Sequence, residues 1–176
     1  MTTQQASTRP LDGVVVIDAT RMLPGAVLAR NLLDLGAHVI KVEDPRMGDP
    51  MRLMPPLHDG IGLGFVTHYG GAWSVGLDLR QQDDAATFRR MVGRADVVVE
   101  SFRPGTMKRW GLSLQSLRTE TPRLVTCALP GVPEHCPGEV GHDLSYVGAL
   151  GMLGHLGTPP GRAPSIQLAD VTAGLL

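Results

Sequence analysis

The chain's opening limits its fold most. Val14-Val15-Val16-Ile17-Asp18 is followed by Leu28, Leu32 and Leu35 at helical spacing, then Gly36, then Val39-Ile40-Lys41-Val42-Glu43. Two β-branched runs of strand length with one amphipathic helix between them form a βαβ unit. Such strands pair in parallel through a right-handed crossover. The pattern then repeats loosely. Residues 74–79 alternate as a half-buried strand, and Asp83 and Asp84 are placed to cap a helix running through Phe88 and Val92. Asp96-Val97-Val98-Val99-Glu100 reads as a buried strand, after which Thr106 is placed to cap a short helix ending at Gly111. A further short helix is expected over 114–117, and the last clear strand over 123–128. Strands alternating with helices specify an α/β fold, a Rossmann-like parallel sheet flanked by helices. Residues 44–71, rich in Pro, Gly and Met and with little periodicity, are expected to form a long functional loop or an irregular excursion. Residues 1–10 read as a flexible N-terminus and residues 11–176 as one continuous unit.

Composition excludes several functions. With 43% hydrophobic residues, 19% charged residues and a net charge of -1, this is an ordinary globular chain. No charge excess invites nucleic acid or a membrane surface. Three Phe, two Tyr and two Trp are too few for base-stacking platforms. No apolar run approaches spanning length, and the polar first ten residues carry no secretory h-region, so the expected location is cytoplasmic. Cys127 and Cys136 form no CxxC pair, which leaves a disulfide between them open. The turn Ala19-Thr20-Arg21-Met22-Leu23-Pro24-Gly25 lacks the GxGxxG glycines, which disfavours a dinucleotide.

Open parallel sheets bind ligands beyond the carboxyl ends of their strands. Arg21, Arg46 and Arg103 fall there, each close in sequence to an acid. Guanidinium offers bidentate donors to phosphate or carboxylate, and the other role open to each is a surface ion pair. The second candidate region is the last third. Gly141-His142-Asp143-Leu144 and Gln167-Leu168-Ala169-Asp170-Val171 each open an apolar stretch, and a Gly-rich run lies between them. His142 and Asp170 are the candidate acid/base pair. Asp143 is as well suited to capping the helix that starts near Leu144. His135, Cys136 and His142 have irregular spacing and no fourth partner, so no metal site is expected. Met22, Met47, Met51 and Met54 suit either an acyl pocket or core filling.

Several short motifs then occur in order. They are Leu11-Asp12-Gly13, Arg21-Met22-Leu23-Pro24-Gly25, Asp34-Leu35-Gly36-Ala37, Lys41-Val42-Glu43-Asp44-Pro45 and Gly48-Asp49. Leu77-Asp78-Leu79-Arg80, Ala95-Asp96-Val97-Val98-Val99-Glu100-Ser101-Phe102-Arg103-Pro104-Gly105 and Gly141-His142-Asp143 follow. Together they resemble the class III CoA-transferase family, which includes α-methylacyl-CoA racemase. The resemblance implies a Rossmann-like large domain, an interlocked homodimer and an acyl-CoA substrate. No cofactor is bound permanently, and coenzyme A arrives as part of the substrate. Arg21, Lys41, Arg46, Arg103 and Asp143 are its implied CoA-binding residues.

In the racemase branch His142 and Asp170 exchange the α-proton of a 2-methylacyl-CoA. In the transferase branch Asp170 is the nucleophile. The Gly141-His142-Asp143 triplet is closer to the racemase branch, which makes racemisation the first expectation and CoA transfer the alternative. A non-catalytic remnant or a subunit of a split enzyme is the third. Two departures bear on this. Gly70-Gly71-Ala72-Trp73 stands where family members carry a basic residue or two, which implies an altered CoA contact. The sequence also stops at Leu176, so a second chain or a partner copy is expected to supply the remainder of the enzyme.

Overall fold

A computed structural model describes residues 9–132, 141–157, 159 and 162–176. Most of the expected flexible N-terminus, residues 1–8, lies outside the described residues, as do His135 and Cys136.

The opening forms the expected unit: β1 (Val15–Ala19), α1 (Met22–Asp34) and β2 (His38–Glu43), with β1 and β2 parallel. A 3-10 turn (Pro50–Leu53), the two-residue strands β3 (Leu57–His58) and β4 (Ile61–Gly62), and α2 (Leu63–Tyr69) follow. Next come β5 (Trp73–Gly76), α3 (Gln82–Val92), β6 (Val97–Glu100), α4 (Thr106–Arg109), α5 (Leu114–Glu120) and β7 (Val125–Ala128). The last part contributes α6 (Asp143–Ala149), α7 (Met152–His155) and α8 (Leu168–Leu175). The main sheet is parallel throughout, in the order β5-β2-β1-β6-β7.

Alternation along the strands feeds two cores. Val16, Val39 and Val99 pack with α1 and α2 through Ala26, Ala29, Leu33, Phe65 and Tyr69. Ile17, Val42 and Val98 pack with α3, α4 and α5 through Phe88, Val92, Met107 and Leu117. Covering both faces is what allows the near-continuous β-branched runs. The order of the strands then fixes where a ligand can enter. From β1 the chain moves one way to β2 and β5, and from β6 the other way to β7, so the carboxyl ends of β1 and β6 flank the switch point.

Some expectations are corrected. Residues 44–71 are not one irregular loop, because they contain α2 and the β3–β4 hairpin. α2 shows no periodicity because only Phe65 and Tyr69 are buried, while Leu63 and Val66 are exposed. α1 begins at Met22, ahead of the Pro24 read as a turn, since proline is tolerated in a first helical turn. Asp84 does not cap α3. Its Oδ2 accepts from the Asp78 amide at 2.8 Å. Thr106 lies inside α4, whose N-cap is Gly105.

Two glycines are required by close approach. A Cβ on Gly25 would lie 1.7 Å from Thr20 Oγ1, so only glycine lets α1 start over the end of β1. A Cβ on Gly174 would lie 2.4 Å from the Pro24 carbonyl oxygen, and this contact seats α8 on the first turns of α1.

Candidate functional site

A cleft of about 360 Å³ opens at the switch point, over the carboxyl ends of the strands. Arg21, Arg46, Arg80 and Arg103 line it, with Phe102 and Trp110 forming an aromatic wall at a 5.0 Å edge-to-face contact. The acids around it are mostly engaged. Asp78 holds Arg80 through two bonds of 2.6 and 2.8 Å, and that guanidinium keeps the Asp78 carboxyl down at about 2. Asp44 stands 3.9 Å from Arg46. Glu43 is paired with Arg52, and Asp49 with Lys41. Arg21 and Arg103, both exposed, join none of the ion pairs among the described residues. Arg21 instead lies over the Phe102 ring at 5.5 Å, and its amide donates to Ser101 Oγ at 2.8 Å. The next residue, Met22, has φ 66, a left-handed conformation that costs a side-chain-bearing residue energy and tends to mark functional turns. Two guanidinium groups outside the described ion pairs, beside an aromatic wall, have the chemistry to hold an anionic ligand with a planar group.

Below it lies a buried polar layer. Lys41 is only 1% exposed. Its Nζ donates to the Thr20 carbonyl at 2.6 Å and lies 3.2 Å from Asp49 Oδ2 and 3.7 Å from Asp18 Oδ2, and the Tyr69 hydroxyl donates to Asp18 Oδ2 at 3.1 Å. Lys41 is therefore buried beneath the cleft wall and does not line it, contrary to its expected place among the CoA-binding residues. It shares a face of β2 with Val39 and lies opposite Val42, and that face packs under α2, where its Nζ sits 4.7 Å from the centre of the Tyr69 ring.

Glu43 forms the other inward pair. Burial alone would raise its carboxyl. Arg52 Nε and Nη2, each at 2.7 Å, the Ser74 hydroxyl at 2.5 Å and the Asp49 amide at 2.7 Å reverse that and hold it at about 2, below its ordinary 4.5. This stabilisation is complete above about pH 4.5 and fades as pH falls through about 2. About 2 kcal/mol of stability is expected to disappear between pH 6 and pH 3 through this group. Urea unfolding at the two pH values measures it, and Arg52→Ala should flatten that part of the difference.

The second site residues gather elsewhere. His142 is the exposed N-cap of α6, and Asp170 sits half-buried in the first turn of α8. Burial and the nearby Asp143 carboxylate push the Asp170 carboxyl up, while His142 is close enough to pull it down. The start of α6, which carries His142, thus meets the first turn of α8, which carries Asp170. Asp143 does not cap its own helix and does not face the cleft, because its Oδ1 accepts from the amides of Ala169 and Asp170 at 2.6 and 3.1 Å. None of these residues lines the cleft. α1 connects the two places: it starts beside Arg21 and carries α8 on its surface.

The family model for CoA-transferase family III matches residues 11–176. The chain belongs to this family. The alpha subunit of succinyl-CoA–L-malate CoA-transferase from Chloroflexus aurantiacus is 36% identical, over 94% of this chain and 40% of that protein. Succinate–glutarate CoA-transferase from Agrobacterium fabrum is 33% identical, over 94% of this chain and 44% of that protein. A CAIB/BAIF family protein from Brucella suis superposes with a TM-score of 0.84 at 32% identity, covering 96% of this chain and 47% of that one. The chain spans less than half the length of these relatives.

Within this family III fold, sequence reasoning found three of the four cleft arginines and missed Arg80, Phe102 and Trp110 as cleft residues. Arg80 directly follows the strand read over residues 74–79 and closes the motif Leu77-Asp78-Leu79-Arg80, which is the signal that could have found it. Among the described residues, no helix is long and apolar enough to cross a membrane.

Proposed function

We propose that the chain is the catalytic-aspartate-bearing part of a CoA-transferase that moves coenzyme A between carboxylic acids through Asp170. The observation that carries this reading is the relatives' chemistry: the similar proteins are named for CoA transfer between acids, which supports the alternative over the racemase first expected. The cleft suits the nucleotide end of CoA, with phosphates at Arg21, Arg46, Arg80 and Arg103 and the adenine against Phe102 and Trp110.

In the reaction, an Asp170 oxygen attacks the thioester carbonyl and expels CoA thiolate, leaving a mixed anhydride. The thiolate then attacks the Asp170 carbonyl and releases the donor acid as its carboxylate, which leaves an aspartyl-CoA thioester. The acceptor carboxylate and the thiolate repeat these two steps in reverse order of roles, regenerating Asp170 and forming the new acyl-CoA. One thioester replaces another, so no outside energy source is required. Half-burial and the Asp143 charge raise the basicity of Asp170 and thus its strength as a nucleophile. The relatives suggest succinyl-CoA as donor with malate or glutarate as acceptor. The proposed working state is an assembly with further family III sequence, from a partner copy or a second chain.

One observation favours a second reading. His142 caps the end of α6 that meets the first turn of α8, where Asp170 sits, as α-proton exchange on a 2-methylacyl-CoA would require. Incorporation of solvent deuterium at the α-carbon distinguishes it.

The cleft assignment has its own test. CoA binding measured by calorimetry should weaken about 100-fold in the Arg21→Ala/Arg103→Ala double variant, from roughly 1.5 kcal/mol for each lost charge-assisted contact. Unchanged affinity would place CoA elsewhere.

A further inference from the structure

Asp143 spends its carboxylate on a helix other than its own. It opens α6 and is 8% exposed, yet its Oδ1 accepts from Ala169 N at 2.6 Å and Asp170 N at 3.1 Å, 26 and 27 residues further along the chain. α8 has no cap of its own, since its N-cap residue Gln167 makes no side-chain cap bond. The first amides of a helix need acceptors, and here the acceptor is supplied by another element. The residue so fixed is Asp170 itself.

We infer that Asp143 is a positioning residue for Asp170, capping α8 from outside and holding the Asp170 backbone in register with His142. This rests on the reading of Asp170 as the nucleophile. Besides fixing place, the arrangement sets a charge against Asp170 across the cap. The groups facing Asp170 are Asp143 and His142 at the start of α6, the Tyr146 phenol one turn on, and the Gln167 amide at 3.4 Å. On α1, which packs against α8, the charged residues Arg30 and Asp34 pair with each other. Asp143 is thus the anion that opposes ionisation of Asp170, and His142 the group that favours it.

Two substitutions separate the cap from the charge. Asp143→Asn keeps an Oδ1 acceptor and removes the charge, and Asp143→Ala removes both. In carboxyl-selective NMR titrations of the chain, the Asp170 midpoint should move down in Asp143→Asn, with the Ala169 and Asp170 amides still protected from exchange. In Asp143→Ala those two amides should lose about tenfold in protection. In the succinyl-CoA assay, kcat should fall about tenfold for Asp143→Ala with KM for the donor within twofold, and Asp143→Asn should recover part of that loss. An unmoved Asp170 midpoint in Asp143→Asn, or unchanged protection in Asp143→Ala, would overturn the inference. The NMR readouts need no turnover. If they respond as expected while the unsubstituted protein, assembled with the further family III sequence of its proposed working state, transfers no CoA, the positioning stands and the transferase reading falls.

Discussion

Replacing Lys41 by Met is expected to cost about 3–5 kcal/mol of stability, the cost of leaving buried carboxylates without their cation. Lys41 is 1% exposed, and it is the common partner of Asp18 Oδ2, Asp49 Oδ2 and the Thr20 carbonyl. Asp18 would keep the Thr20 amide and hydroxyl and the Tyr69 hydroxyl as donors. Asp49 fares worse. Its Oδ1 accepts from Met51 N, but among the described residues its buried Oδ2 has no hydrogen-bond donor and only the nearby Lys41 charge. The melting temperature should fall by roughly 10 °C for a chain of this size. Adding Asp49→Asn to Lys41→Met should restore more than half of the loss, because the second substitution removes the stranded charge. Denaturant unfolding of the four proteins completes the cycle. A loss below about 1 kcal/mol in Lys41→Met would show that the ammonium is not what holds this layer together.

The largest functional effect is expected at Asp170. Asp170→Ala should lower kcat for CoA transfer from succinyl-CoA by at least about 10³-fold, since no other group takes the nucleophile's place. CoA affinity should stay within about twofold, because Asp170 is absent from the cleft lining. The separation matters. Loss of affinity together with rate would mean that Asp170 serves binding, whereas loss of rate alone assigns it to the chemistry.

Much of this was legible from residues. The β-branched runs at Val14-Val15-Val16-Ile17 and Val97-Val98-Val99 gave the parallel sheet, because strands covered on both faces need no polar alternation. Arg21, Arg46 and Arg103 were found because they follow strands whose carboxyl ends were already located. Lys41 was misassigned for the same reason in reverse: a cation in a signature motif looks like a ligand contact, and only the pleat of β2 turns it inward onto Asp18 and Asp49. α2 was missed because a seven-residue helix with two buried side chains leaves no periodic trace, and its anchors are long-range, such as Arg52 over the Phe65 ring at 3.8 Å. For Asp143 the sequence left a local cap, the usual kind, and a part in the chemistry or in CoA binding equally open. Its real partners lie 26 and 27 residues away, a distance that no spacing rule spans. The racemase preference rested on one triplet. The better-supported reading came from relatives named for CoA transfer, not from any residue pattern in this chain.

The central claim is that Asp170 becomes covalently linked during CoA transfer. The most direct measurement is to incubate the protein with succinyl-CoA, quench with hydroxylamine or borohydride, and sequence the peptide spanning residues 167–176 by mass spectrometry. The account predicts a hydroxamate or a reduced side chain at Asp170, absent without succinyl-CoA and absent in Asp170→Ala. An unmodified Asp170 in protein that is turning over would contradict it, and deuterium at the α-carbon of a 2-methylacyl-CoA under the same conditions would assign the His142–Asp170 pair to proton exchange instead.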